Sequence, residues 1–156
     1  MKIIFRNLIV VLILGYFNDA TELVDTQATT YLENKGYSIE SYEGIVDQYI
    51  LTKQHLVTLP HMMYWELQEV DPSLYIGKNI IVKKFIVTHH PLSEGKVEAF
   101  VYEVDKKPIG GTAQPMSRER MVGGYFSIDG KTVEELHFRS FLSWQDEWLK
   151  KYENEE

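Results

Sequence analysis

Residues 79–88 carry apolar side chains on both faces of an extended chain. Ile80, Val82 and Ile86 fall on one side, and Ile81, Phe85 and Val87 on the other. Only Lys83 and Lys84 interrupt the pattern. A strand apolar on both faces belongs in the centre of a sheet, so the chain has to supply neighbours for it. Pro91, after His89-His90, ends the strand. Residues 96–104 and 108–114 read as a hairpin turning around Asp105-Lys106-Lys107, and Gly110-Gly111 in its second arm predicts a bulge or a close backbone approach.

The remaining elements follow from periodicity and punctuation. Residues 20–35 predict a helix with Leu23, Val24, Ala28, Tyr31 and Leu32 on one stripe, stopped by Gly36. Residues 37–42 alternate as a strand, Gly44 reads as a turn, and residues 47–59 read as a second strand. Pro60 suits a first helical position, with a short helix over 61–70 ended by Asp71-Pro72-Ser73. Residues 115–122 read as a charged loop and 123–128 as a last short strand. Thr132 with Glu135 predicts a capping box that opens a long helix over 133–152. Helix, two strands, helix, four strands, helix is not the alternation of a parallel α/β fold. It implies a single α+β domain over 21–152, mainly an antiparallel sheet with helices packed on one face. Residues 153–156 are an acidic, frayed tail.

Lys2 and Arg6 precede an apolar run at residues 8–17, and polar residues follow at once. A basic region before an apolar core of this length is the pattern of a secretory signal, so residues 1–20 are expected to be a signal peptide or an uncleaved N-terminal anchor. A run of ten is short for a spanning helix, which needs about 20 residues. Leu12-Ile13-Leu14-Gly15 resembles the approach to a bacterial lipoprotein signal, but Tyr16 stands where the lipid-bearing Cys would be and the chain has no Cys. The same absence excludes disulfides, thiol catalysis and thiolate metal sites. With 16 basic and 23 acidic residues the net charge is −7, a poor balance for nucleic acid.

No catalytic signature is present. HExxH, GxSxG, SxxK and the phosphate-binding glycine loop are all missing, and no catalytic, cofactor-binding or metal-binding residues are assigned. Adjacent His89 and His90 would point to opposite faces of a strand and cannot share one ion unless Pro91 bends the backbone. Three features suit contact with a ligand or partner instead. Met63 and Trp65 lie in the soft, bulky run Met62-Met63-Tyr64-Trp65. Arg118 and Arg120 lie in the loop after Pro115. Trp144 is one helical turn from Trp148. Such aromatic groups serve either an apolar groove or the core.

Several phrases occur together: Tyr31-Leu32 with Gly36-Tyr37; Leu67-Gln68 with Asp71-Pro72-Ser73 and Tyr75-Ile76-Gly77-Lys78; His90-Pro91-Leu92; and Gly123-Gly124-Tyr125 with Ser127-Ile128-Asp129-Gly130-Lys131-Thr132. Over residues 25–135 the chain resembles a family of small exported proteins from Gram-positive bacteria classed as a domain of unknown function. The resemblance implies export and supplies no activity, cofactor or site residue. The opening helix, glycine turn and strand are also similar to peptidase-associated propeptide domains, which are inhibitory or regulatory modules. Taken together, the expectation is an exported, non-enzymatic binding or regulatory module at the bacterial cell envelope. Its partner would be an envelope protein, a peptide or an apolar ligand, without nucleic acid, and with membrane contact only through an uncleaved N-terminal segment. The alternative is a hydrolase with a dispersed site, using His89 or His90 with a carboxylate.

Overall fold

The computed structural model describes residues 26–116 and 124–153. The expected signal segment, Arg118 and Arg120, and the last three residues of the acidic tail lie outside the described residues.

The fold is a single α+β domain around a five-stranded antiparallel sheet with strand order β1-β2-β3-β4-β5. The strands are β1 (Ser38–Ile50), β2 (Asn79–Thr88), β3 (Val97–Val104), β4 (Lys107–Pro115) and β5 (Phe126–Ser127). The helices are α1 (Thr26–Asn34), α2 (Lys53–Val57), α3 (His61–Trp65), α4 (Val133–His137) and α5 (Phe141–Glu153). As its two-sided apolar pattern requires, β2 is interior, paired with β1 and β3. Asp105 and Lys106 both take positive φ, the backbone a tight right-twisted hairpin needs between β3 and β4.

Strand alternation divides the core in two. Phe85, Val87, Val97, Ala99 and Val101 face α1, which contributes Ala28 and Leu32. Ile80, Val82, Tyr102 and Val104 point the other way, toward Leu56 of α2, Trp65 of α3 and Tyr152 of α5. The helices therefore gather on one face, except α1. Trp65, Leu56, Ile80 and Phe85 are wholly buried, and each such side chain stabilises the fold by about 1.5–3 kcal/mol. Lys83, the polar intruder in β2, is buried against Glu103, with 2.5 Å between Nζ and Oε2. Burial of either charge alone would be costly.

Several local expectations are corrected. Gly44 does not reverse the chain. It sits at φ +93° within one continuous strand, beside a register shift against β2. A left-handed glycine there bends the strand without breaking its pairing. The strand expected to run on to residue 59 stops at Ile50, because Thr52 caps α2. The Thr52 hydroxyl accepts from His55 N–H, and His55 Nδ1 accepts from Thr52 N–H. Pro60 is the residue before α3 and not its first helical residue. α3 ends at Trp65, five residues early, as Gln68 N–H turns back to Trp65 O and tightens the chain. The long C-terminal helix is two helices, broken where Phe138 adopts φ 53°, ψ 37°. Gly36, in contrast, ends α1 as expected. At φ +90° it lets Tyr37 N–H reach Leu32 O, which satisfies a terminal carbonyl.

Candidate functional site

On the face that carries α2 and α3, the sheet and α3 leave a cavity of about 190 Å³. This is far above the ~10–15 Å³ that one water takes by the same measure. Its position follows from strand register. Asp47 of β1 pairs with Val82 of β2, which pairs with Tyr102 of β3. In the next row Phe100 pairs with Thr112 of β4. These five side chains share one face of the sheet. Tyr64 from α3 and Tyr125, just before β5, supply two walls, and Val46 lies at the rim.

Tyr102 and Thr112 are almost fully buried and form the floor. Burial holds the Tyr102 phenol far above the usual range, only partly offset by its hydrogen bond with Thr112. The rings of Tyr64 and Tyr125 meet at 78° with centres 4.7 Å apart, and those of Phe100 and Tyr125 at 67° and 6.0 Å. Burial, together with a hydrogen bond to Tyr125, pushes the Tyr64 phenol up to about 12. Tyr64 and Tyr102 therefore keep their protons at neutral pH.

Asp47 is the one charged side chain lining the cavity among the described residues, and it is about half exposed. Its Oδ1 accepts from Gln48 N–H at 2.8 Å, and its Oδ2 lies 3.5 Å from His61 Nε2. His61 packs edge-on against Tyr49 at 4.5 Å and against His55 at 4.8 Å. Burial, then the neighbouring His61, lowers the His55 pKa, with Asp47 pulling the other way. Its Nδ1 already accepts from Thr52 N–H, which suits the neutral ring. Among the described residues no group of three or more His, Asp or Glu side chains is placed to hold a metal ion.

Of the residues expected to form a partner surface, the described ones, Met63, Trp65 and Trp144, do not form one exposed patch. Trp65 is wholly buried and donates from Nε1 to Tyr49 OH at 3.0 Å. Trp144 is buried between His137 and Trp148, with ring centres at 5.1 and 4.7 Å. Both are core residues because their helices turn these faces inward. Met63 is half-buried, its methyl group 3.6 Å from where a Cβ on Gly124 would stand.

His89 and His90 lie just past the end of β2 at Thr88, not within the strand, and they differ in burial. His89 is exposed at φ 59° and hydrogen-bonded to Ser38 Oγ, while His90 is buried. His90 Nδ1 accepts from Leu92 N–H at 3.1 Å, so its Nε2 donates to Ile128 O at 2.9 Å. Both nitrogens are committed to structure, and burial lowers the pKa of the ring. This leaves His90 no free nitrogen for proton transfer.

Asp47, Phe100, Tyr102 and Thr112 were not legible as site residues from local motifs. The signal that could have found them is strand parity across the sheet, which places them on the same face once β1, β2, β3 and β4 are aligned in register. Comparison of the chain with protein-family models, curated proteins and solved structures finds no match.

Proposed function

We propose that the protein is an exported, non-enzymatic binding or regulatory module of the bacterial cell envelope that holds a small ligand in the cavity between β1, α3 and Tyr125. The observation that carries this reading is a concave site walled by aromatic rings, with hydroxyls on its floor and a carboxylate at its rim. A concave hollow that brings aromatic rings and a few convergent polar groups together is the kind of place that takes a small ligand. The basic start and apolar run of residues 1–17 support export.

A fragment screen by ligand-detected NMR tests the binding role. Fragments should bind the wild type, and Val46→Trp, which fills the rim from an exposed strand position, should weaken them at least about tenfold. Binding indifferent to that change, or no binding, refutes the role. Export is tested by cell fractionation with intact mass. The chain should be found outside the cytoplasm, and a full-length cytosolic chain contradicts it.

A hydrolytic reading is favoured by one observation, the Asp47–His61 pair beside the cavity. A carboxylate can orient an imidazole for proton transfer. Turnover of an ester or amide substrate that His61→Ala abolishes would move the protein into that class.

A further inference from the structure

We infer that the ligand of this cavity presents an organic cation, an alkylated ammonium group lying against Tyr64, Phe100 and Tyr125 with Asp47 as its counter-ion. This inference rests on the cavity being a binding site. The faces of aromatic rings are electronegative, and a cation within about 6 Å of a ring centre is attracted to them. The Tyr125 ring stands steeply to both Tyr64 and Phe100, at 78° and 67°. All three aromatic residues line the same cavity, so one compact cation held there lies beside more than one ring. Burial holds the Tyr64 and Tyr102 phenols above their ordinary range, so these two bring no negative charge that would need a second counter-ion. Asp47 supplies one negative charge at the rim, and no basic side chain among the described residues lines the cavity. An anion would meet a carboxylate and ring faces, both unfavourable.

Lys84 Nζ lies 5.9 Å from the centre of the Phe100 ring while paired with Glu98. Lys84 is not part of the lining, so the cavity itself remains without a cation of its own. The net charge of −7 raises the local concentration of cations over the whole surface.

The test compares choline with 3,3-dimethylbutan-1-ol, which has the same shape and no charge. Both are titrated into the intact protein at pH 8, with calorimetry for affinity and amide NMR shifts for location. Choline should bind about tenfold more tightly than the alcohol. Asp47→Asn should remove most of that advantage. This variant keeps the oxygen that accepts from Gln48 N–H, so the strand is undisturbed. Equal or tighter binding of the alcohol, with shifts at the same residues, overturns the cation assignment and leaves the binding site standing. No binding of either probe overturns both. A choline affinity unchanged in Asp47→Asn overturns the role of Asp47.

Discussion

Gly111 shows how a single atom can decide whether the sheet forms. A Cβ there would lie 2.3 Å from the Phe100 carbonyl oxygen and 3.1 Å from the Ile128 Cδ1 atom. Backbone cannot yield as a side-chain tip can. Gly111→Ala should therefore destabilise the protein by about 3 kcal/mol in urea denaturation. Gly124→Ala, where a Cβ would meet only an ordinary contact, should change stability by less than about 0.5 kcal/mol. The close backbone approach was legible from two glycines inside a strand pattern. Which neighbour approaches was not, because that depends on register. Glu66 makes a second case. Its side chain is buried, and burial alone raises its carboxyl from 4.5 to about 7. The folded state thus holds the proton more tightly than the unfolded chain. The stability this contributes is complete below about pH 4.5 and is lost as pH rises through about 7. Glu66→Gln should flatten that part of the stability–pH curve and stabilise the protein at pH 8 by about 2 kcal/mol, measured by denaturation at pH 5 and pH 8.

Between elements, punctuation decided where prediction succeeded. The capping box at Thr132 and Glu135 was readable because both residues have the familiar types, and it opens α4 as expected. The same device at Thr52 uses His55 in place of a carboxylate or amide, and so the start of α2 passed for strand. The break between α4 and α5 was hidden for another reason. Phe138 is a poor residue for left-handed backbone, yet it takes φ 53° and leaves its ring 93% exposed. An apolar stripe that runs through residues 133–152 suggests a continuous helix, but its members Phe138 and Leu142 are turned to solvent while Trp144 and Tyr152 are buried. Glycine has no Cβ to strain in that conformation. Phe138→Gly should therefore raise stability by about 1 kcal/mol, seen as a higher Tm with α4 and α5 intact by circular dichroism.

At the scale of the whole molecule the sheet separates two apolar layers. Ile128 belongs to the layer under α1, and Ile80 to the layer under α2, α3 and α5. Each change to Val should cost about 0.5–1.5 kcal/mol. In the double variant the two costs should add to within about 0.5 kcal/mol, because the sites share no packing partner. A larger discrepancy in denaturation would mean that the layers act as one. The α+β class and the antiparallel sheet were legible from element order and from the two-sided pattern of β2. The cavity was not, because it is made by residues from four strands, one helix and one loop that meet only when the sheet assembles. The most direct test of the account is the amide NMR shift map of the protein titrated with choline. Shifts centred on Val46, Asp47, Tyr64, Phe100, Thr112 and Tyr125 are predicted. Shifts centred elsewhere, or none at millimolar choline, would contradict it.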